Sequence, residues 1–127
     1  MMRKFGLPAL LVAAAALAAC SGGGGASKPA GSASAVAQNV TVKSSDTMRF
    51  DPATLTVRAN TPVNITLDNS GSALVHDFVI DSPAIKLEAQ PAGRASGTAT
   101  FPPGTYQFYC SQPGHKEAGM VGTLTAS

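Results

Sequence analysis

The chain has 127 residues, with nine lysines and arginines, seven acidic residues and a formal charge of +2, which leaves room for one modest domain. Arg3, Lys4 and Lys28 all lie in N-terminal stretches that do not resemble a folded domain, and setting them aside leaves six basic against seven acidic side chains, close to −1. Nothing in that balance calls for nucleic acid, or an anionic membrane surface, as the partner.

Arg3 and Lys4 precede an apolar run from Leu7 to Ala19, the layout of a secretory signal. Its thirteen residues fall short of the roughly 20 that a bilayer-spanning helix takes. The run closes on Leu17-Ala18-Ala19-Cys20, which resembles the lipobox cleaved before a cysteine that becomes lipid-modified. Residues 1–19 are therefore expected to be a lipoprotein-type signal and Cys20 the lipidation site, with ordinary secretion as the alternative. Residues 20–38, rich in glycine, serine and alanine, are too small and polar to bury a core and read as a flexible tether. The expected product is lipid-anchored on the periplasmic or other extracytoplasmic face of a bacterial membrane, with its folded domain at 39–127.

Within the domain, short alternating segments succeed one another. Asn39 to Val42, Leu55 to Val57 and Val63 to Leu67 place apolar residues two apart, the period of a half-buried strand. Asp51-Pro52, Asn60-Thr61-Pro62 and Asp68-Asn69-Ser70-Gly71 supply turn chemistry between them. Further strands are expected at Leu74 to Ile80, Ala95 to Phe101, Gly104 to Cys110 and Met120 to Thr125. Residues 83–94 fit least and suit either a short helix or an irregular crossover. Some seven to eight strands at this spacing, with no helix demanded, predict an all-β antiparallel sandwich.

Strand phase places chemistry on inward rows. Tyr106, Phe108 and Cys110 share one face, so the thiol falls at the buried end of a strand. His76 is in phase with Phe78 and Ile80, while Val75, Asp77 and Val79 face the other way. An imidazole on an apolar row needs a hydrogen-bond partner or a metal, since an unsatisfied buried polar group costs about 1–3 kcal/mol. If Cys20 carries lipid, Cys110 has no disulfide partner in the chain, and a lone exported thiol must be buried or occupied.

The donors of the domain are few: His76, Cys110, His115, Met48 and Met120. Two imidazoles, one thiolate and a weak axial thioether form the donor set of a blue-copper electron-transfer site. Met48 offers no ligand spacing and reads as core. The order His76, then Cys110-x4-His115-x4-Met120 at the end of a small β-rich domain resembles the cupredoxins, and the P-G-H and A-G-M elements are most similar to the auracyanin and sulfocyanin members.

That resemblance implies a Greek-key β-sandwich with one copper ion, cycling between Cu(I) and Cu(II), held by His76, Cys110 and His115 with Met120 as a long axial ligand. It also implies that the backbone amides of Asp77 and Gln112 point at the thiolate, and that a carbonyl from Val75 can lie on the axis. Most members carry asparagine where this chain has Asp77, and an ionised aspartate accepts from Ser111 but cannot donate, so the tie between the two ligand loops is expected to be altered. The resemblance further implies a monomeric carrier that exchanges electrons with a redox protein donor and acceptor, docking transiently near His115 beside Pro113, Gly114, Ala118 and Gly119.

Other chemistries fit the residues less well. Structural zinc favours a closed set with more cysteine. A binuclear copper centre needs a second cysteine in the loop, and catalytic copper needs further histidines with an open position. Strand phase buries the thiol that a cysteine hydrolase would have to expose. No catalytic residue is therefore assigned. The rival functions are an exported module for copper delivery or buffering, and a metal-free sandwich for adhesion or assembly.

Overall fold

The computed structural model describes residues 37–127. The expected signal, the Cys20 lipidation site and nearly all of the tether lie outside the described residues. Nine strands follow: β1 (Gln38–Ser45), β2 (Arg49–Asp51), β3 (Thr54–Val57), β4 (Pro62–Asp68), β5 (His76–Ile80), β6 (Ile85–Ala89), β7 (Arg94–Thr100), β8 (Gly104–Tyr109) and β9 (Val121–Ala126). They form a four-stranded sheet ordered β2-β1-β4-β7 and a five-stranded sheet ordered β3-β9-β8-β5-β6. The chain passes repeatedly from one sheet to the other, as a Greek-key sandwich requires.

Period-2 patterning accounts for the layers. In β4, Val63, Ile65 and Leu67 are fully buried while Pro62, Asn64 and Thr66 are less so, and β9 buries Leu124 and Ala126 on the same principle. Two features depart from the sequence expectation. The sandwich is mixed rather than wholly antiparallel, because β1 runs parallel to β4, with Val42 opposite Leu67, and β3 runs parallel to β9, with Leu55 opposite Leu124. Residues 83–94 contain a strand, β6, paired antiparallel to β5 from His76 opposite Ala89 to Ile80 opposite Ile85. Leu87 and Ala89 turn inward while Lys86 and Glu88 face solvent. Strand β2 was not anticipated.

The two layers are joined by phenylalanines. Phe50 of β2 meets Phe108 of β8 edge-on at 5.3 Å and Phe78 of β5 at 6.2 Å, and Phe78 stacks on Phe108 at 4.7 Å. Both Phe78 and Phe108 are fully buried. Each lies two residues along its strand from a donor, His76 or Cys110, and therefore on the same face. The aromatic cluster thus forms an apolar floor beneath that end of the sandwich.

Candidate metal centre

His76 opens β5 and Cys110 directly follows β8, while Met120 directly precedes β9; all three side chains are fully buried. His115 stands half-buried in the loop between them. His76 Nδ1 lies 3.2 Å from His115 Nδ1 and 3.9 Å from Cys110 Sγ, and Cys110 Sγ lies 3.4 Å from His115 Nδ1. Among the described residues these three form the one cluster of histidine, cysteine and carboxylate donors close enough to share an ion. The expectation that His76 and Cys110 face inward holds.

The connecting loop is tied by its own backbone. The His115 amide donates to the Gln112 carbonyl at 3.0 Å, the Ala118 amide to Gly114 at 3.1 Å and the Gly119 amide to Lys116 at 3.0 Å. Met120 is held to both neighbours: its amide donates to the His115 carbonyl at 3.0 Å and its carbonyl accepts from the Cys110 amide at 3.1 Å. Gly119, at φ 101°, occupies a backbone region that a side chain would strain. It lets the chain turn back so that Met120 enters the core beside the donors.

Asp77 is the hub between the two ligand segments. Its amide donates to Cys110 Sγ at 3.3 Å. Its buried carboxylate accepts from the Ser111 amide and, at 2.6 Å, from the Ser111 hydroxyl, with the Gln112 side-chain amide at 3.3 Å and the Lys86 ammonium at 3.7 Å. Burial pushes the Asp77 carboxyl up, but the Ser111, Cys110 and Gln112 bonds together outweigh it and leave it below the usual carboxylate range. An aspartate here therefore makes the tie by accepting twice from Ser111.

A match to the cupredoxin-like domain runs over residues 9–126. The chain belongs to the cupredoxin family. Copper-resistant cuproprotein CopI of Rubrivivax gelatinosus is 38% identical over 74% of this chain and 69% of its own length. Auracyanin-B of Chloroflexus aurantiacus is 31% identical over 72% of this chain, which spans about half, 53%, of that relative. The solved structure of auracyanin B aligns with a TM-score of 0.64 at 27% identity, covering 71% of this chain and 88% of that one. Auracyanin A of the same genus, at 22% identity and a TM-score of 0.65 over 72% and 100% of the two chains, shows likeness of fold.

The cofactor of this cupredoxin is copper, and the residues present fit it. The point equidistant from His76 Nδ1, His115 Nδ1 and Cys110 Sγ lies about 2 Å from each, because three atoms separated by 3.2, 3.9 and 3.4 Å define a circle of that radius; imidazole-nitrogen and thiolate bonds to a first-row metal are about 2.0–2.3 Å. Without such an ion the arrangement leaves two imidazole nitrogens and a sulfur facing one another in an apolar setting. Burial pushes the Cys110 thiol up, against the pull of the Asp77 and Gln112 amides, and burial likewise holds the His76 imidazole toward its neutral, metal-binding form. The amide aimed at the sulfur at hydrogen-bond distance is that of Asp77, at 3.3 Å.

The sequence reading missed two residues of this cupredoxin that support the donors from the other layer. Asp46, in the turn after β1, sits 3.4 Å from His76 Nε2. Asn69, fully buried after β4, accepts from the Ser44 hydroxyl at 2.6 Å and donates to the carbonyls of Leu74 at 2.8 Å, Gln90 at 3.0 Å and Ala89 at 3.2 Å. The weak available signal was the Asp68-Asn69-Ser70-Gly71 turn itself. An asparagine can bond backbone groups that a turn leaves open.

Proposed function

We propose that this cupredoxin is a one-electron carrier with a mononuclear type 1 copper centre, ligated by His76, Cys110 and His115 with Met120 on the axis. Copper, when bound, supplies the one-electron couple between Cu(I) and Cu(II), and a mixed thiolate, imidazole and thioether set accommodates both states. The observation that carries the reading is the convergence of three donor atoms, those of Cys110 and His115 from a loop whose backbone is already hydrogen-bonded and that of His76 from the start of β5. Donors held this way need little rearrangement between oxidation states, which favours fast exchange of single electrons. Both histidines of the chain and the one cysteine of its domain are taken up as ligands, so the chain is read as a carrier and not an enzyme.

His115 is the proposed route in and out. It is half-buried among exposed Pro113, Gly114 and Ala118, and Leu74, two residues before His76, is an exposed large apolar side chain. That small rim suits a transient redox partner better than a permanent one. The protein is proposed to act as a monomer outside the cytoplasm, tethered to a bacterial membrane through lipid on Cys20. Mass spectrometry of the mature N-terminus tests the lipid directly.

A second reading, copper resistance through buffering or delivery, is favoured by one observation: the likeness to a relative described as copper-resistant. The two separate experimentally. Adding Cu(II) to the mature protein should give an intense thiolate-to-copper blue absorption that ascorbate bleaches and oxidant restores. A colourless adduct that yields its copper readily to a chelator would favour the second reading. Cys110→Ser should abolish the blue band completely while leaving a folded β-sandwich by circular dichroism.

A further inference from the structure

The two nitrogens of the His76 ring have different neighbours. Nδ1 faces the donor cluster, 3.2 Å from His115 Nδ1 and 3.9 Å from Cys110 Sγ. Nε2 points away from it toward Asp46 Oδ1, at 3.4 Å. Asp46 cannot swing freely, because its carboxylate accepts from the Ser72 hydroxyl, from the Ala73 amide at 2.9 Å and from the Leu74 amide at 3.3 Å. Those three residues lead into β5, which His76 opens. The carboxylate is thus fixed behind the ring by the same segment that delivers the ring to the site. The His76 side chain is fully buried, whereas that of Asp46 is 40% exposed, so the ring has little room to turn.

We propose that Asp46 is the positioning residue of His76: its carboxylate selects the tautomer protonated on Nε2, leaving the Nδ1 lone pair aimed at the metal position, and its charge strengthens Nδ1 as a donor. A separation of 3.4 Å is long for an N–H to O bond, so the fixed negative charge acts on the ring more than bond strength does. A metal-bound histidine whose other nitrogen faces a carboxylate is a more basic ligand. A more basic ligand favours Cu(II) over Cu(I), so Asp46 holds the reduction potential down. The first consequence concerns the metal-free chain alone. The second rests on the copper reading above.

The test uses the full mature chain with two substitutions. Asp46→Asn keeps a carbonyl acceptor but removes the charge; Asp46→Ala removes both. Nitrogen chemical shifts of His76 in the metal-free protein report the tautomer, and the midpoint potential and Cu(II) competition titrations report the charge. The unsubstituted protein is expected to keep the proton on Nε2 and Asp46→Ala to lose that preference, with Asp46→Asn between them because it keeps an acceptor but not the charge. Both variants should raise the potential and weaken Cu(II) binding about tenfold, the low end of what loss of such a partner costs, with the blue band retained. An unchanged tautomer in Asp46→Ala together with an unchanged potential in both variants would overturn the proposal. If the unsubstituted protein shows no blue site, the copper reading fails, and the metal-free tautomer still judges the role of Asp46.

Discussion

The two sheets divide the labour of the site unequally. All four donors sit on or beside strands of the five-stranded sheet: His76 on β5, Cys110 after β8, Met120 before β9 and His115 in the loop between the last two. The four-stranded sheet supplies none. Its turns and strand ends instead supply Asp46 behind His76, Asn69 under the segment that leads to His76, and Arg49 against the ligand loop. One layer carries the chemistry and the other holds it in place. Substitutions in the two layers should therefore fail in different ways.

The largest effect is expected in the donor layer, at Gly122 of β9. A Cβ there would overlap Phe108 Cζ and stand 2.6 Å from the carbonyl oxygen of Ala53, neither of which can move without disturbing a strand or the aromatic floor. Gly122→Ala should cost about 3 kcal/mol or more by overpacking, visible as a large drop in the denaturation midpoint of the metal-free protein. Because Phe108 is two residues from Cys110, the blue site and the fold should be lost together.

Asn69→Ala probes the supporting layer and should fall next. It removes the acceptor for the buried Ser44 hydroxyl and leaves the buried carbonyl of Ala89 and the partly buried carbonyls of Leu74 and Gln90 short of a donor. The cost should be about 2–3 kcal/mol. Here stability and site should come apart: Cys110, His115 and Met120 keep their bonds, while the segment ahead of His76 loosens. The copper-loaded variant is expected to stay blue with a broadened His76 environment in its spectra. Complete loss of colour would mean that the supporting layer organises the whole donor set and not one ligand.

This division also explains what could be read from the sequence. The donors were readable because three of them lie within eleven residues and the fourth, His76, falls on a row with Phe78 and Ile80 whose period is local. Strand phase needs only neighbours in sequence. Asp46 and Asn69 were not readable because their contacts, such as that between His76 and Asp46 thirty residues apart, exist only once β1 lies parallel to β4 with Lys43 opposite Asp68. Alternation alone does not distinguish a parallel from an antiparallel neighbour, and for the same reason the sandwich was expected to be wholly antiparallel. Strand β6 was within reach, since Ile85, Leu87 and Ala89 alternate with Lys86 and Glu88, but alanines, Lys86 and Glu88 also suit a helix. Packing against β5 decided between them.

The smallest effect is expected at Arg49 of β2, and it makes the sharpest distinction between holding a loop and building it. The guanidinium donates through Nη1 to the carbonyls of Met48 at 3.0 Å and Ala118 at 3.1 Å, and it lies where a Cβ on Gly119 would point. Both bonds are exposed to solvent, so water can replace them, and Arg49→Ala should cost less than about 1 kcal/mol. The loop's own bonds, from Gln112 to Met120, do not pass through Arg49. The variant should therefore keep its colour and midpoint potential while the amides of Ala118 and Gly119 exchange hydrogen a few-fold faster. A destabilisation as large as that of Asn69→Ala would show that the loop is not self-supporting. The contact from β2 to Ala118 would then count as part of the ligand frame, and the boundary between the two layers would have to be drawn through the loop itself.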